Sequence, residues 1–386
     1  MSAIVVPASD GTLSTLEFGR PAELAVRSTP PVSRVAYAAA HVVANPLRAC
    51  AAGGPDQIDW DATLRLRHRL WDLGLGVAEV MDTSQRGMGL DWPSARELAR
   101  RCVAEAAPRG AAVVVGIATD QLPAGQDVEL AAVRDAYLEQ LAEIEEAGGE
   151  VVMMASRHLV RAARSVEDYL TVYDAVLSAA RRPVVLHWLG EVFDPALAGY
   201  WGHSEPEKAV TVVADLIAAH ADSVRGIKMS LLDADLELEL RGRLPAGVHL
   251  FTGDDFHYTD LIAGDGSHHS DALLGAFAVI APFASAAFGL LDEGDVAGFR
   301  DVLGPTEPLS RLVFQAPTRY YKVGVAWLAY LDGAQDHFRM IGGFETGRSL
   351  GHLGELVREA AAIGLFTDPE RTAARAAAYF AAHGIG

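Results

Sequence analysis

One lysine stands where the chain would otherwise bury apolar side chains. The run Ser223-Val224-Arg225-Gly226-Ile227-Lys228-Met229-Ser230 reads as a strand with Lys228 at its inner end. A second short strand, Val248-His249-Leu250-Phe251, follows and ends in Thr252-Gly253-Asp254-Asp255. A buried ammonium is costly unless it is paired or neutral. Desolvation lowers its pKa, and a neutral amine can attack a carbonyl carbon to form a Schiff base. The competing interpretation is an ordinary lysine just past a strand end, with its ammonium in solvent.

Polar residues recur in the same way at other strand ends. His41 and Asn45 follow the apolar run Arg34–Ala40, and Glu79, Asp82, Thr83, Ser84 and Arg86 lie at or after the run Gly76–Met81. Thr119 and Asp120 follow Ala111–Ile117, Ser156, Arg157 and His158 follow Glu150–Met154, and His187, Trp188 and Glu191 follow Pro183–Leu186. A lysine, carboxylates, histidines and an arginine arranged in a ring would equip a lyase or aldolase of carbonyl compounds. In that reading Lys228 is the nucleophile and His158 or His187 moves protons, because histidine titrates near neutral pH. Each residue also has a plainer role. His187 follows an apolar strand and could be a satisfied core histidine, Asp82 could cap a turn, and one of Asp254 and Asp255 could cap a helix. Trp188 and Trp92 are packing residues or, at a barrel mouth, platforms for a sugar ring. The triplet Tyr320-Tyr321-Lys322 reads as helix packing.

The elements that carry these residues alternate. Short apolar runs exchange with helical patterns at about Asp59–Leu73, Trp92–Ala106, Val128–Ala147, Val166–Ala180 and Asp233–Leu240, the signature of parallel βα units. A loop containing Gly53-Gly54-Pro55 precedes the first of these helices. The order predicts an α/β fold, a (β/α)₈ TIM barrel with its active site at the C-terminal ends of the strands. The eighth strand is expected at Ala276–Ile280. Residues 1–32 read as an N-terminal arm with hairpin character, 33–304 as the barrel and 305–386 as a C-terminal helical extension, with Pro305 and Pro308 at the boundary. The helical layer beyond the barrel is expected to hold two to four helices.

Four segments resemble the dihydrodipicolinate synthase/N-acetylneuraminate lyase superfamily of class I aldolases, and in particular a bacterial branch of it. They are Ile58-Asp59-Trp60-Asp61 with Gly74-Leu75-Gly76-Val77, then Asp82-Thr83-Ser84, where that superfamily has Gly-Thr-Thr-Gly-Glu, then Gly226-Ile227-Lys228-Met229-Ser230, and Gly253-Asp254-Asp255. The likeness spans about residues 33–359 and is strongest around Lys228. It implies that Lys228 forms the Schiff base and that Thr83 and Ser84 lie near the acid end of a substrate, while Asp82, Arg86, His41, Trp188 and Asp254 are substrate-binding candidates by their places at strand ends. Two departures stand out. The superfamily's tyrosine after the fourth strand is missing from Met153-Met154-Ala155-Ser156-Arg157-His158, and the carboxylate loop carries Asp82, Gln85 and Arg86 in place of its glycines and glutamate.

A rival reading needs no Schiff base. Glu79, His187 and Glu191, with His158 and Asp254 nearby, form a mixed set that could hold Zn²⁺, Mn²⁺ or Mg²⁺ for a metal-dependent sugar lyase or isomerase. No HxH or HExxH spacing accompanies it, and the side chains of His268-His269 diverge. A non-catalytic sugar-binding barrel is the third possibility, and the buried lysine weighs against it.

Composition narrows the partners. Of 386 residues 50% are hydrophobic, and Lys+Arg 32 against Asp+Glu 51 gives a net charge of −19 with no basic block. That argues against nucleic acid and anionic membranes as the main partners. The 2 cysteines, Cys50 and Cys102, form no CxxC, which fits a reducing cytoplasm. No signal peptide or membrane-spanning run is recognised. The expectation is a cytoplasmic homo-oligomer that takes a small keto acid or keto sugar, with no cofactor in the Schiff-base reading and a divalent metal in its rival.

Overall fold

The computed structural model describes residues 3–51 and 56–386. The Gly53-Gly54-Pro55 loop lies outside the described residues. Ten strands run in chain order. β1 (Ala3–Pro7) and β2 (Leu13–Glu17) form an antiparallel hairpin. The other eight are β3 (Ala36–Ala39), β4 (Gly76–Glu79), β5 (Val113–Ile117), β6 (Glu150–Met153), β7 (Val184–Leu189), β8 (Val224–Ser230), β9 (His249–Thr252) and β10 (Asp271–Leu274). They pair in parallel, each with its neighbours in sequence, and β10 closes onto β3. The expected barrel is therefore present, with a helical C-terminal part beyond it.

Alternation along each strand sorts the side chains. Tyr37, Ala78, Val114, Val152, Val185 and Leu273 meet inside the barrel. Ala38, Val77, Val115, Val151, Leu186 and Leu274 pack outward against the helices. A Cβ on Gly76 would lie 2.6 Å from the Tyr37 ring, so that position requires glycine.

Helix starts are legible locally. The Asp59 side chain accepts from Ala62 N to cap Trp60–Asp72, and Asp91 accepts from Ser94 N to cap Trp92–Ala106, which has Pro93 in its first turn. Asp233 does the same for Ala234–Arg241. Among the described residues no helix is long and apolar enough to cross a membrane.

The eighth strand differs from expectation. It is Asp271–Leu274, and Ala276–Ala278 forms a 3₁₀ turn instead. Asp271 explains the shift, because its carboxylate accepts from Val35 N and from His249, tying the strand's start to both of its neighbours. The more apolar run after it serves as the turn into the helix Ala281–Asp292.

Past the barrel come the helices Glu307–Val313, Tyr321–Leu331, Leu350–Ala362 and Pro369–Ala382. The N-terminal hairpin packs on the last two of these. Ser9 N donates to Glu355 Oε1 at 2.8 Å, and Arg358 donates to the Val6 carbonyl at 3.3 Å. The arm then reaches the barrel helix Ala281–Asp292, where Ser33 N donates to Asp292 Oδ1 at 2.8 Å.

One fully buried ion pair fastens the first βα unit. Arg67, on the helix Trp60–Asp72, holds the Glu79 carboxylate with Nε–Oε2 at 2.8 Å and Nη2–Oε1 at 2.7 Å. Its remaining amino group donates to the carbonyls of His41 and Thr63. Removing one partner from a buried pair leaves an uncompensated charge. Arg67→Met should therefore lower stability by about 3–5 kcal/mol, measured by urea unfolding. Adding Glu79→Leu, which removes the stranded charge, should restore most of the loss.

Candidate active site

Ile227 and Met229 belong to the outward-facing core, which turns Lys228 into the barrel near its C-terminal mouth. In register, Lys228 lies between His187 on β7 and Phe251 on β9. It is 7% exposed. Gly253 makes the space, because a Cβ there would lie 2.8 Å from Lys228 Cε and 2.1 Å from Ser230 Oγ. Burial pulls the ammonium pKa down, while Asp255 and Asp82 pull it back up.

Asp255 is the natural counterpart of Lys228. Burial pushes its carboxyl up to about 7, against the opposing effects of the Ala276 N–H, which donates to Oδ1 at 2.9 Å, and of Lys228. An amine made less basic and a carboxyl made less acidic thus act on one another. The neighbour, Asp254, has a structural task. Its Oδ1 accepts from Phe256 N and His257 N and its Oδ2 meets His257 Nδ1, so it caps the turn after β9.

The C-terminal helices add two residues that read as packing from the sequence. Tyr321 is buried, stacks on Phe314 at 4.4 Å, and hydrogen-bonds Thr83 Oγ1 through its hydroxyl at 2.7 Å. Burial raises its pKa, and Asp82 and Asp255 add to the rise. Lys322 is buried next to it, and burial lowers its pKa to about 8 against the pull of Asp82. Asp82 therefore acts on Lys228, Tyr321 and Lys322 together. A periodicity argument could not have found these two residues, since their helix is apolar on nearly every side.

The other sequence candidates are placed as follows. His187 faces inward beside Lys228, with Nε2 3.2 Å from Ser230 Oγ and Nδ1 without a partner. Burial, then Lys228, drives its pKa well down, so it is a neutral imidazole. His158 has both ring nitrogens engaged, by Thr119 Oγ1 at 2.9 Å and the Pro123 carbonyl at 3.1 Å. Ser84 Oγ donates to the Met81 carbonyl at 2.8 Å. Arg86 is held in place by Asp120, the Gly116 carbonyl and Gln140, so its charge is used inside the loop structure. His41 meets Gln335 at 2.7 Å, and burial lowers its pKa to about 4. Trp188 points outward to Trp201, which removes it from the barrel mouth.

The alternative metal set does not converge. Glu79 faces away from the barrel interior in its ion pair with Arg67, while His187 faces inward. Among the described residues no three His, Cys, Asp or Glu side chains group as metal ligands. A cleft of about 600 Å³ lies at the opposite end of the barrel, beside Tyr37 and Trp71. Its Arg109 and Arg225 are paired with Asp72 and Glu150. At the C-terminal end, loops bring Asp82, Thr119, Arg157 and His158 around a smaller cleft.

A family model described as "Protein of unknown function (DUF993)" matches residues 4–385. The chain belongs to that family. No curated protein sequence matches it. Among solved structures it is similar to dihydrodipicolinate synthase from Thermotoga maritima, at 15% identity over 86% of this chain and 99% of that one, with a TM-score of 0.63. The enzyme from Aquifex aeolicus gives 14%, 86%, 99% and 0.64, and that from Oceanobacillus iheyensis 17%, 84%, 96% and 0.60. At these identities the likeness is one of fold. It agrees with the resemblance read from the segments around Lys228. This DUF993 chain shares its barrel fold with those structures.

A second buried carboxyl lies behind the site. Glu237, on the helix Ala234–Arg241, accepts from Thr252 Oγ1 at 2.9 Å and Ser270 Oγ at 2.8 Å, and burial raises its pKa from 4.5 to about 8. Between those values the folded chain keeps a proton that the unfolded chain has released, so stability falls as pH rises through the window. The slope can reach about 1.4 kcal/mol per pH unit. Glu237→Gln should flatten the decline of the thermal midpoint between pH 4.5 and 8. An unchanged slope would show that Glu237 is not its source.

Proposed function

We propose that this chain is a Schiff-base-forming lyase or aldolase acting on a 2-keto acid or sugar-derived keto compound, with Lys228 as nucleophile. The observation that carries the reading is the inward, buried Lys228 facing a carboxyl whose pKa is raised to about 7. The shared fold with structures titled dihydrodipicolinate synthase supports an aldolase-type lyase.

The chemistry follows from the proton inventory. Burial favours the uncharged form of both groups, a Lys228 amine and an Asp255 carboxylic acid. The amine lone pair attacks the carbonyl carbon and a C–N bond forms. The carbonyl oxygen leaves as water, taking one proton from the amine and one from Asp255. The resulting iminium draws electrons from the adjacent C–H or C–C bond, which can then break. The hydroxyl pair Thr83–Tyr321 supplies and collects protons at the substrate, a role that His158, with both nitrogens engaged, is poorly set to fill. No cofactor is needed.

Borohydride reduction in the presence of pyruvate, hydroxypyruvate, 2-ketobutyrate or dihydroxyacetone, followed by intact-mass and peptide analysis, should give an adduct on Lys228 that is lost in Lys228→Ala. An adduct that survives this substitution, or none with any compound, would falsify the assignment. Iminium formation also lets α-hydrogens exchange with solvent. Tyr321→Phe should keep the trapped adduct but slow deuterium exchange into bound pyruvate, followed by NMR, by about 10²-fold or more.

A further inference from the structure

Four cations crowd the barrel mouth beside the loops after β4, β6 and β7, and three of them are committed. Arg86 is held by Asp120, Arg157 pairs with Asp194, and Arg319 lies 4.9 Å over the Tyr320 ring and donates to its hydroxyl. Lys322 is different. It is 5% exposed, yet its Nζ reaches only the Met88 sulfur at 3.5 Å and the Arg319 carbonyl at 3.3 Å, with the Tyr321 ring at 4.9 Å. No carboxylate oxygen among the described residues pairs with it, and none pairs with Lys228. Met88 lies on the same loop after β4 as Asp82, and Asp82 acts on both lysines without touching either, so both side chains belong to the C-terminal end of the barrel.

The hydroxyls of the same loop are already used. Thr83 is bonded to Tyr321 and Ser84 to the Met81 carbonyl. An anion entering the mouth therefore meets one buried charged donor that lacks a charged acceptor, and such a donor gains most from a charge-assisted hydrogen bond. We propose that Lys322 is the anion anchor of the site. It binds the carboxylate of a keto acid whose carbonyl is presented to Lys228. Among the compounds a Schiff base could handle, the site then selects keto acids over neutral keto sugars. The carbonyl's fate rests on the Schiff-base reading, whereas the anion anchor rests on the surroundings of Lys322 alone.

Isothermal titration calorimetry of the full chain with oxamate, an unreactive pyruvate isostere, tests the anchor without the covalent step. Wild type and Lys228→Ala should both bind it, and Lys322→Met and Lys322→Gln should weaken binding by about ten- to 100-fold. Parallel borohydride trapping should show the same loss with pyruvate and little change with its neutral amide, pyruvamide. The anchor is overturned if wild type does not bind oxamate. It is equally overturned if both Lys322 variants bind it as wild type does, or if trapping of pyruvate and pyruvamide falls equally. Oxamate binding that depends on Lys322 while wild type traps no adduct upholds the anchor and overturns the Schiff-base reading instead.

Discussion

Closure of an eight-stranded parallel sheet sends every second side chain into a space that only a few residues can fill, and the site depends on that constraint. At the C-terminal ends of β7, β8 and β9 it sets His187, Lys228 and Gly253 side by side. The lysine cannot turn to solvent without carrying Ile227 and Met229 out of the outer core. Its amine must therefore live in a low-dielectric interior. The raised carboxyl of Asp255 and the neutral imidazole of His187 are further effects of the same burial.

The helices beyond the barrel complete this environment. The helix Tyr321–Leu331 brings a hydroxyl and an ammonium to the mouth, and Phe193, on the loop after β7, lies edge-on to both Tyr321 and Phe314. Aromatic packing thus fixes the position of the one polar atom that meets Thr83. The loop after β4 shows the same economy. Arg86, Thr83 and Ser84 are each held by a neighbour, and Asp82 remains to face the two lysines.

Much of the frame was legible because strand and helix signals are local. Short apolar runs alternating with helical patterns gave seven of the barrel strands in order. The eighth was misplaced because Ala276–Ile280 is more apolar than Asp271–Leu274, and hydrophobicity alone does not reveal that Asp271 bonds Val35 and His249. At the site, a lysine inside an apolar strand announced itself. Which charged residues would be free was not legible, since type and order do not say which face a side chain takes. Glu79 turned outward to Arg67, Asp254 capped a turn while Asp255 faced the lysine, and Trp188 joined Trp201. Tyr321 and Lys322 were hidden for a different reason. They lie far along the chain on a helix that looks like core on every side, so only three-dimensional packing reveals their polar ends.

The N-terminal hairpin bears on the order of events during synthesis. Its partners, Glu355 and Arg358, leave the ribosome more than 300 positions after it does. Until then β1 and β2 have no surface to cover, and a partly made chain that already contains all eight barrel strands still lacks Tyr321 and Lys322. Long-range closure of this kind is slow. It also means that Lys228 does not acquire its full surroundings until the late helices dock, so its environment in a nascent chain differs from that in the finished fold.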